Sequence, residues 1–134
     1  LRYFLVLLAL LGVIVSALAL HVHYVSGAQP CDINAHWDCG VVNHSRFALI
    51  HGVPVAVIGI VGYALLGMLA LLKKYRLAAI AALIGCSYAI YLSNIEAHVL
   101  EVWCLYCVIS QTLIACLLLL SAVVAIRESR YRRR

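Results

Sequence analysis

Four apolar stretches, at about residues 3–22, 53–72, 77–95 and 104–126, leave this chain few ways to fold. Each is close to the roughly 20 residues that cross a bilayer core as a helix. In lipid the backbone must satisfy its own hydrogen bonds, which helices do and irregular chain does not. With 66% apolar residues, 11% charged residues and a mean hydropathy of +1.07, the chain lies outside the soluble globular range. The expected fold is therefore all-α: a bundle of four transmembrane helices forming a single membrane domain over residues 1–134. The first stretch, preceded by Arg2, is long for a cleaved secretory signal and shows no convincing small-x-small cleavage site at its end, so it is read as a span.

Residues 23–52 form the one substantial loop, punctuated by Gly27, Pro30, Asp32, Asn34, Asp38 and Gly40. Its second half, 41–50, mixes apolar and polar residues at helical spacing. This predicts a short amphipathic helix on the membrane surface, placed to roof a pocket between the spans. Pro54 is expected in the first turn of the second span, where its missing amide costs nothing. Ala56, Gly59, Tyr63, Gly67 and Ala70 fall on one face of that span, and Ala78, Ala82, Gly85 and Ala89 on one face of the third. Small residues at this spacing let helices approach closely in lipid. The four-residue connection 73–76 makes the second and third spans antiparallel neighbours, and 96–102 reads as a short acidic connection.

The charges give the orientation. With four spans both termini share a side, and that side collects Arg2, Lys73, Lys74, Arg76 and the five arginines of the tail 127–134, nine of the ten basic residues. By the positive-inside rule it is the cytoplasmic side. The net charge of +5 thus marks topology, and no nucleic-acid partner is expected. The long loop, Glu96, Glu101, the six histidines and four of the six cysteines face outward, into an oxidising compartment.

Those four cysteines carry the chemistry. Cys104 and Cys107 stand three apart where loop runs into the last span. In helical geometry positions i and i+3 share a face, about 5 Å apart, within reach of a disulfide. Cys104 is expected in the first turn, where unpaired amides and the helix dipole favour a thiolate. Cys31 and Cys39 lie in the aqueous loop around His36 and Trp37. Two thiol pairs on one face form a relay by thiol–disulfide exchange: a water-soluble partner reaches the first pair, and something in lipid reaches the second. The chain has no motif for flavin, haem or nicotinamide. A bilayer supplies quinones, and Gln111, Tyr88, Tyr91 and Asn94 in the outer half of the third and fourth spans are candidate lining for a quinone pocket, although aromatic residues near an interface also serve as plain anchors. Cys86 and Cys116, deep in apolar runs, read as inert packing residues. No histidine pairs with a cysteine at zinc-finger spacing, so no metal site is expected.

Over nearly its whole length the chain resembles the vitamin K epoxide reductase family, and within it the bacterial homologues. The resemblance rests on a four-helix core, a first loop with Cys31 and Cys39, Ser45 six positions after the second of them, and the Cys104–Cys107 motif opening the last helix. It implies a quinone-dependent thiol oxidoreductase that supports disulfide bond formation. Cys107 would face the quinone (ubiquinone, menaquinone or phylloquinone), Cys104 would exchange with the loop pair, and Cys31 and Cys39 would take electrons from a thioredoxin-like or DsbA-like protein. Ser45 would lie near the quinone. Many bacterial members carry a fused thioredoxin-like domain; here the partner is expected to be a separate protein. The implied location is the bacterial inner membrane, with termini cytoplasmic and cysteine pairs periplasmic, or the endoplasmic reticulum membrane in a eukaryote. The chain departs from the vertebrate enzymes, in which a threonine-tyrosine-alanine stretch stands where this chain reads Ser110-Gln111-Thr112. An epoxide or quinone reductase that supplies quinol is the alternative activity. The DsbB type is set aside because its CxxC lies in the first outer loop.

Overall fold

A computed structural model describes residues 1–25, 32, 34 and 36–134. Its elements in chain order are α1 (Arg2–Tyr24), α2 (Cys39–Asn43), a 3-10 turn (Arg46–Ala48), β1 (Leu49–Ile50), β2 (Val53–Pro54), α3 (Val55–Leu71), α4 (Tyr75–Ile95), a π-helical turn (Glu96–Leu100) and α5 (Leu105–Arg133). Three helical stretches, α1, α4 with its π turn, and α5, are long and apolar enough to cross a membrane. The shorter apolar helix α3 has 17 residues. The protein is thus mostly helical and membrane-embedded in character.

The helices close on one another through small side chains. α1 packs chiefly on α3, and α4 on α5. Ala9, Gly12 and Ser16 of α1 are buried and face Gly59, Tyr63 and Gly67 of α3. Gly12 is the tightest point: any Cβ there would run into the Tyr63 ring. Without a hydrophobic drive between helices in lipid, such close backbone approach and the dispersion it allows hold the pair together. Tyr63 extends the contact to α5, its hydroxyl lying 2.7 Å from both the Ser110 carbonyl and the Ser110 Oγ. Ala78 and Ala82 of α4 are buried in the same core, with Leu5, Leu66, Ile114 and Leu117.

The turn between α3 and α4 has a physical signature. Lys73 is left-handed (φ 58°), the Lys73 N–H donates to the Ala70 carbonyl at 3.1 Å and the Lys74 N–H to the Leu69 carbonyl at 2.9 Å. This doubly bonded ending satisfies the last carbonyls of α3 and sends the chain straight back along it.

Several local expectations are corrected. The amphipathic helix over 41–50 is two pieces: α2 stops at His44, and Ser45 is extended and donates its hydroxyl to the Val42 carbonyl at 2.7 Å. That bond competes with helix continuation. A hairpin β1–β2 then follows, with His51 (φ 50°) and Gly52 (φ 82°) as its two central residues. Positive φ at both positions makes this the turn whose twist suits a two-residue hairpin. Pro54 consequently lies in β2 as the residue capping α3, not in its first turn. The stretch 96–102 is not simply a connection, because α4 runs on through the π turn until Glu101 turns left-handed (φ 55°). The basic tail is helical to Arg133, which places arginines beside the carbonyl end of α5, where positive charge is favoured.

The Gly12–Tyr63 contact makes a test. Gly12→Ala should lower the stability of the protein in detergent by about 1–3 kcal/mol, read as an earlier thermal melt. Gly62→Ala, where a Cβ meets nothing within 4 Å, should change the melt by no more than about 1 kcal/mol and in the stabilising direction.

Candidate functional site

The site is assembled by a short piece of backbone pairing. Asn34 Oδ1 accepts the His36 and Trp37 amides at 2.8 and 3.1 Å, an Asx turn that bends the loop back on itself. The bent strand then pairs in parallel with Trp103: the Trp103 N–H donates to the His36 carbonyl at 2.8 Å and the Asp38 N–H to the Trp103 carbonyl at 3.0 Å. Asp38 caps α2 by accepting the Val41 amide at 3.1 Å. Cys39 opens α2 and Cys104 precedes α5, so the pairing sets two helix starts side by side.

The outcome is a sulfur contact across 65 residues of chain. Cys104 Sγ lies 3.3 Å from Cys39 Sγ, and both residues are 0% exposed. Cys39 is disulfide-bonded, whereas Cys104 and Cys107 are thiols. Cys31 falls outside the described residues. Asn43, one helical turn after Cys39 and buried, donates its side-chain amide to the Cys39 carbonyl at 2.9 Å and toward Cys104 Sγ at 3.4 Å. The Asn43 carbonyl meets His23 Nδ1 of α1 at 2.6 Å, so the residue that links the Cys39 backbone to the Cys104 sulfur is itself tied to the first helix.

Cys104 is not in the first turn, as its position in the sequence suggested. It is the extended residue capping α5 (φ −102°, ψ 123°). Its thiol is held below the ordinary thiol range, first by the hydrogen bond with the Cys107 side chain and further by the amides of Cys107 and Tyr106, against burial and the nearby Glu96 carboxylate, which push it up. The cap position exposes the sulfur to unpaired amides of the first turn, as a cap oxygen would be.

Beneath the thiols lies a cavity of about 120 Å³, walled by all four long helices. α1 contributes Val15, Ser16 and Ala19, α3 contributes Val55, Ala56 and Gly59, and α4 contributes Ala89, Leu92 and Ser93. Cys107, Ser110 and Gln111 line it from α5, while Asn43, Ser45 and Phe47 lie over it and Glu96 closes the top of α4. Of the expected pocket residues, Ser45 and Gln111 line this space. Gln111 finds the partner that a polar group in lipid requires, accepting a hydrogen bond from Ser93 Oγ. Tyr88, Tyr91 and Asn94 do not line it. The cavity face of α4 runs through 89, 92, 93 and 96, and these three are turned away from it. Tyr88 and Tyr91 instead stack on each other with ring centroids 5.8 Å apart, and Tyr91 is 54% exposed.

Sequence reasoning passed over Asn43 and Glu96. Asn43 had one signal, its i+4 spacing from Cys39 in a helical stretch. Glu96 read as part of a connection, and only the continued winding of α4 makes it a cavity residue, 3% exposed, accepting the Cys104 N–H at 3.3 Å.

Apolar helices of bilayer length around a cavity, with buried cysteines at its mouth, define the class: a membrane protein. The family is given by comparison. The model described as vitamin K epoxide reductase family matches residues 3–122, most of the chain, and the protein belongs to that family. It is accordingly a membrane oxidoreductase of a quinone-related family. No curated protein matches the chain.

The lowered Cys104 thiol has a consequence with a definite sign. In wild-type protein the pH midpoint for alkylation of Cys104 by a small permeant reagent should lie below that of an ordinary thiol. In protein kept reduced so that Cys104 is unbridged, Cys107→Ala removes the largest lowering contribution and should move the midpoint up, as measured by mass mapping across a pH series.

Proposed function

We propose that the protein passes electrons from a thioredoxin-like or DsbA-like partner, through the loop pair Cys31 and Cys39, to Cys104 and Cys107, and on to a membrane quinone. The observation that carries this reading is the 3.3 Å approach of the Cys39 and Cys104 sulfurs, with Cys107 one helical turn further in, on the cavity wall. A thiolate on one pair then needs only a small shift to attack the disulfide of the other. Cys39 is disulfide-bonded and Cys104 and Cys107 are unbridged, the arrangement this relay would reach once electrons have passed to the inner pair.

Geometry supports a quinone as that acceptor. The cavity is of the order of the roughly 150 Å³ apolar cavities that take up a benzene-sized ring. Its walls are chiefly aliphatic, with hydroxyls and amides at Ser45, Ser93, Ser110 and Gln111, suited to a flat head group with carbonyl oxygens. Exchange would proceed by attack of a Cys39 thiolate on Cys104 of the inner disulfide, followed by closure of the loop disulfide, which leaves Cys104 and Cys107 as thiols. The cavity-facing Cys107 then serves as the electron donor to quinone.

The proposed setting is a four-span domain with its termini in the cytoplasm and the thiols periplasmic, in a bacterial inner membrane; in a eukaryote the setting would be the endoplasmic reticulum membrane. At about 1.5 Å per residue α3 spans about 26 Å, near the lower limit for crossing the bilayer core. The arginines of α5 and the Lys73–Lys74 turn lie at the same end of the bundle, consistent with a positive inner face.

Purified protein with a short-chain quinone provides the test. Cys107→Ala should abolish quinone reduction by every dithiol. Cys39→Ala should stop reduction by a thioredoxin-like partner while sparing a small permeant dithiol. Equal loss with both reductants would remove the relay. In the Cys107→Ala background, Cys104 should accumulate in a bridge to Cys39, visible by non-reducing peptide mapping.

A further inference from the structure

Among the described residues Glu96 is the buried carboxyl group, and the relay leaves it without a task. It sits where α4 widens into its π turn, a distortion that recurs at functional positions. By helical periodicity it continues the cavity face formed by Ala89, Leu92 and Ser93. It is 3% exposed, its Oε2 accepts the Cys104 N–H at 3.3 Å, and it lines the cavity beside Cys107. No lysine, arginine or histidine lines the cavity among the described residues. Among the described residues the other titratable groups lining it are Cys107 and Tyr106, with Cys104 bound to Glu96 through its amide and Cys39, held in its disulfide, against the Cys104 sulfur. Among the described residues this carboxylate has no cation beside it in the cavity, and it shares the cavity wall with the thiol that must lose its proton.

We propose that Glu96 is the proton acceptor for Cys107 and the proton donor to the quinone oxygen nearest it. This rests on the quinone reading above and assigns a residue to its proton path. Two thiols and a quinone give a disulfide and a quinol, so two electrons and two protons must reach the acceptor together. The Cys107 S–H bond breaks and its proton passes to the Glu96 carboxylate. The Cys107 thiolate then gives up the electron pair as the Cys104–Cys107 sulfur–sulfur bond forms, and Cys104 releases the second proton. One proton reaches a quinone oxygen from Glu96, restoring its carboxylate, and the other reaches the second oxygen from the Cys104 side. Thiolate formation at a site set back from bulk solvent is helped by a resident base. The outer thiol, Cys104, has its own stabilisation from the helix start and does not need one. The tie to the Cys104 amide can hold the carboxyl in place through the cycle, because an amide donor is met by a carboxylate and, more weakly, by the carbonyl oxygen of the protonated acid.

Glu96→Gln tests this, since glutamine keeps an oxygen for the Cys104 amide and loses the ability to carry a proton. With a permeant dithiol and a short-chain quinone, turnover should fall by about 10²–10⁴-fold, the usual share of a positioned acid–base group. The loss should shrink as pH rises and solution takes over deprotonation of Cys107. Bridging of Cys39 to Cys104 in the Cys107→Ala background should be unchanged by Glu96→Gln, which separates a proton role from damage to the fold. Glu96→Asp, retaining a carboxylate on a shorter arm, should give a rate between wild type and Glu96→Gln. Wild-type rates in Glu96→Gln, or equal loss in both variants with an unaltered pH profile, would overturn the proton role alone. A wild-type protein that oxidises dithiol without reducing quinone would instead overturn the reading on which it rests.

Discussion

Two backbone hydrogen bonds between Trp103 and the His36–Asp38 strand are the constraint from which the site follows. Cys39 and Cys104 are 65 residues apart, and closing so long a loop has an entropic cost that the sulfur contact alone cannot meet. Once the amides of Trp103 and Asp38 are paired, the remaining search is local. Each cysteine lies at or next to the first position of a helix, so its Cβ direction is set by backbone that is already fixed. The Asx turn at Asn34 and the Asp38 cap supply the bend and the helix start, and Asn43 anchors the result to α1 through His23.

The same pairing explains why a reactive sulfur can be buried. A thiolate without partners inside an apolar bundle is costly, and such sites normally keep the proton on sulfur. Cys104 escapes this by standing just outside α5, where its side chain meets the amides of Tyr106 and Cys107, the Cys107 thiol and the Asn43 amide. The polar groups around the cavity obey the matching rule for a membrane interior. Ser93 pairs with Gln111, Tyr63 with Ser110, and Ser45 with the Val42 carbonyl. Among the described residues no buried side-chain oxygen or nitrogen lacks a partner, so the cavity is polar at chosen points and apolar elsewhere.

Close helix contact and cavity are two results of one packing scheme. α1 meets α3 at Gly12–Tyr63 and Ser16–Gly59 because small residues permit it, while the cavity opens beside Ala19 and Val55 and the loop residues Val42 to Ala48 cover it. A continuous amphipathic helix over 41–50 would lie flat on the membrane. The break at Ser45 and the hairpin at His51–Gly52 instead fold this stretch inward, which brings Val42, Asn43, Phe47 and Ala48 over the cavity.

The sequence by itself determined what depends on composition and short spacing: apolar helices of bilayer length, small faces along 56–70 and 78–89, the Cys104–Cys107 pair at a helix start, and the resemblance that those features carry. Each is a local property of consecutive residues, visible in a 3.6-residue period or a run length. Tertiary structure alone decided the rest. Which face of α4 meets the cavity depends on how α4 rotates against α5, and that rotation excludes Tyr88, Tyr91 and Asn94 while admitting Ser93 and Glu96. Whether Glu96 belongs to a connection or to a helix depends on the π turn and on the Cys104 amide that its carboxylate accepts. Partners so far apart in the chain leave no periodic trace, because their meeting is fixed by packing angles and backbone pairing and not by the order of residues.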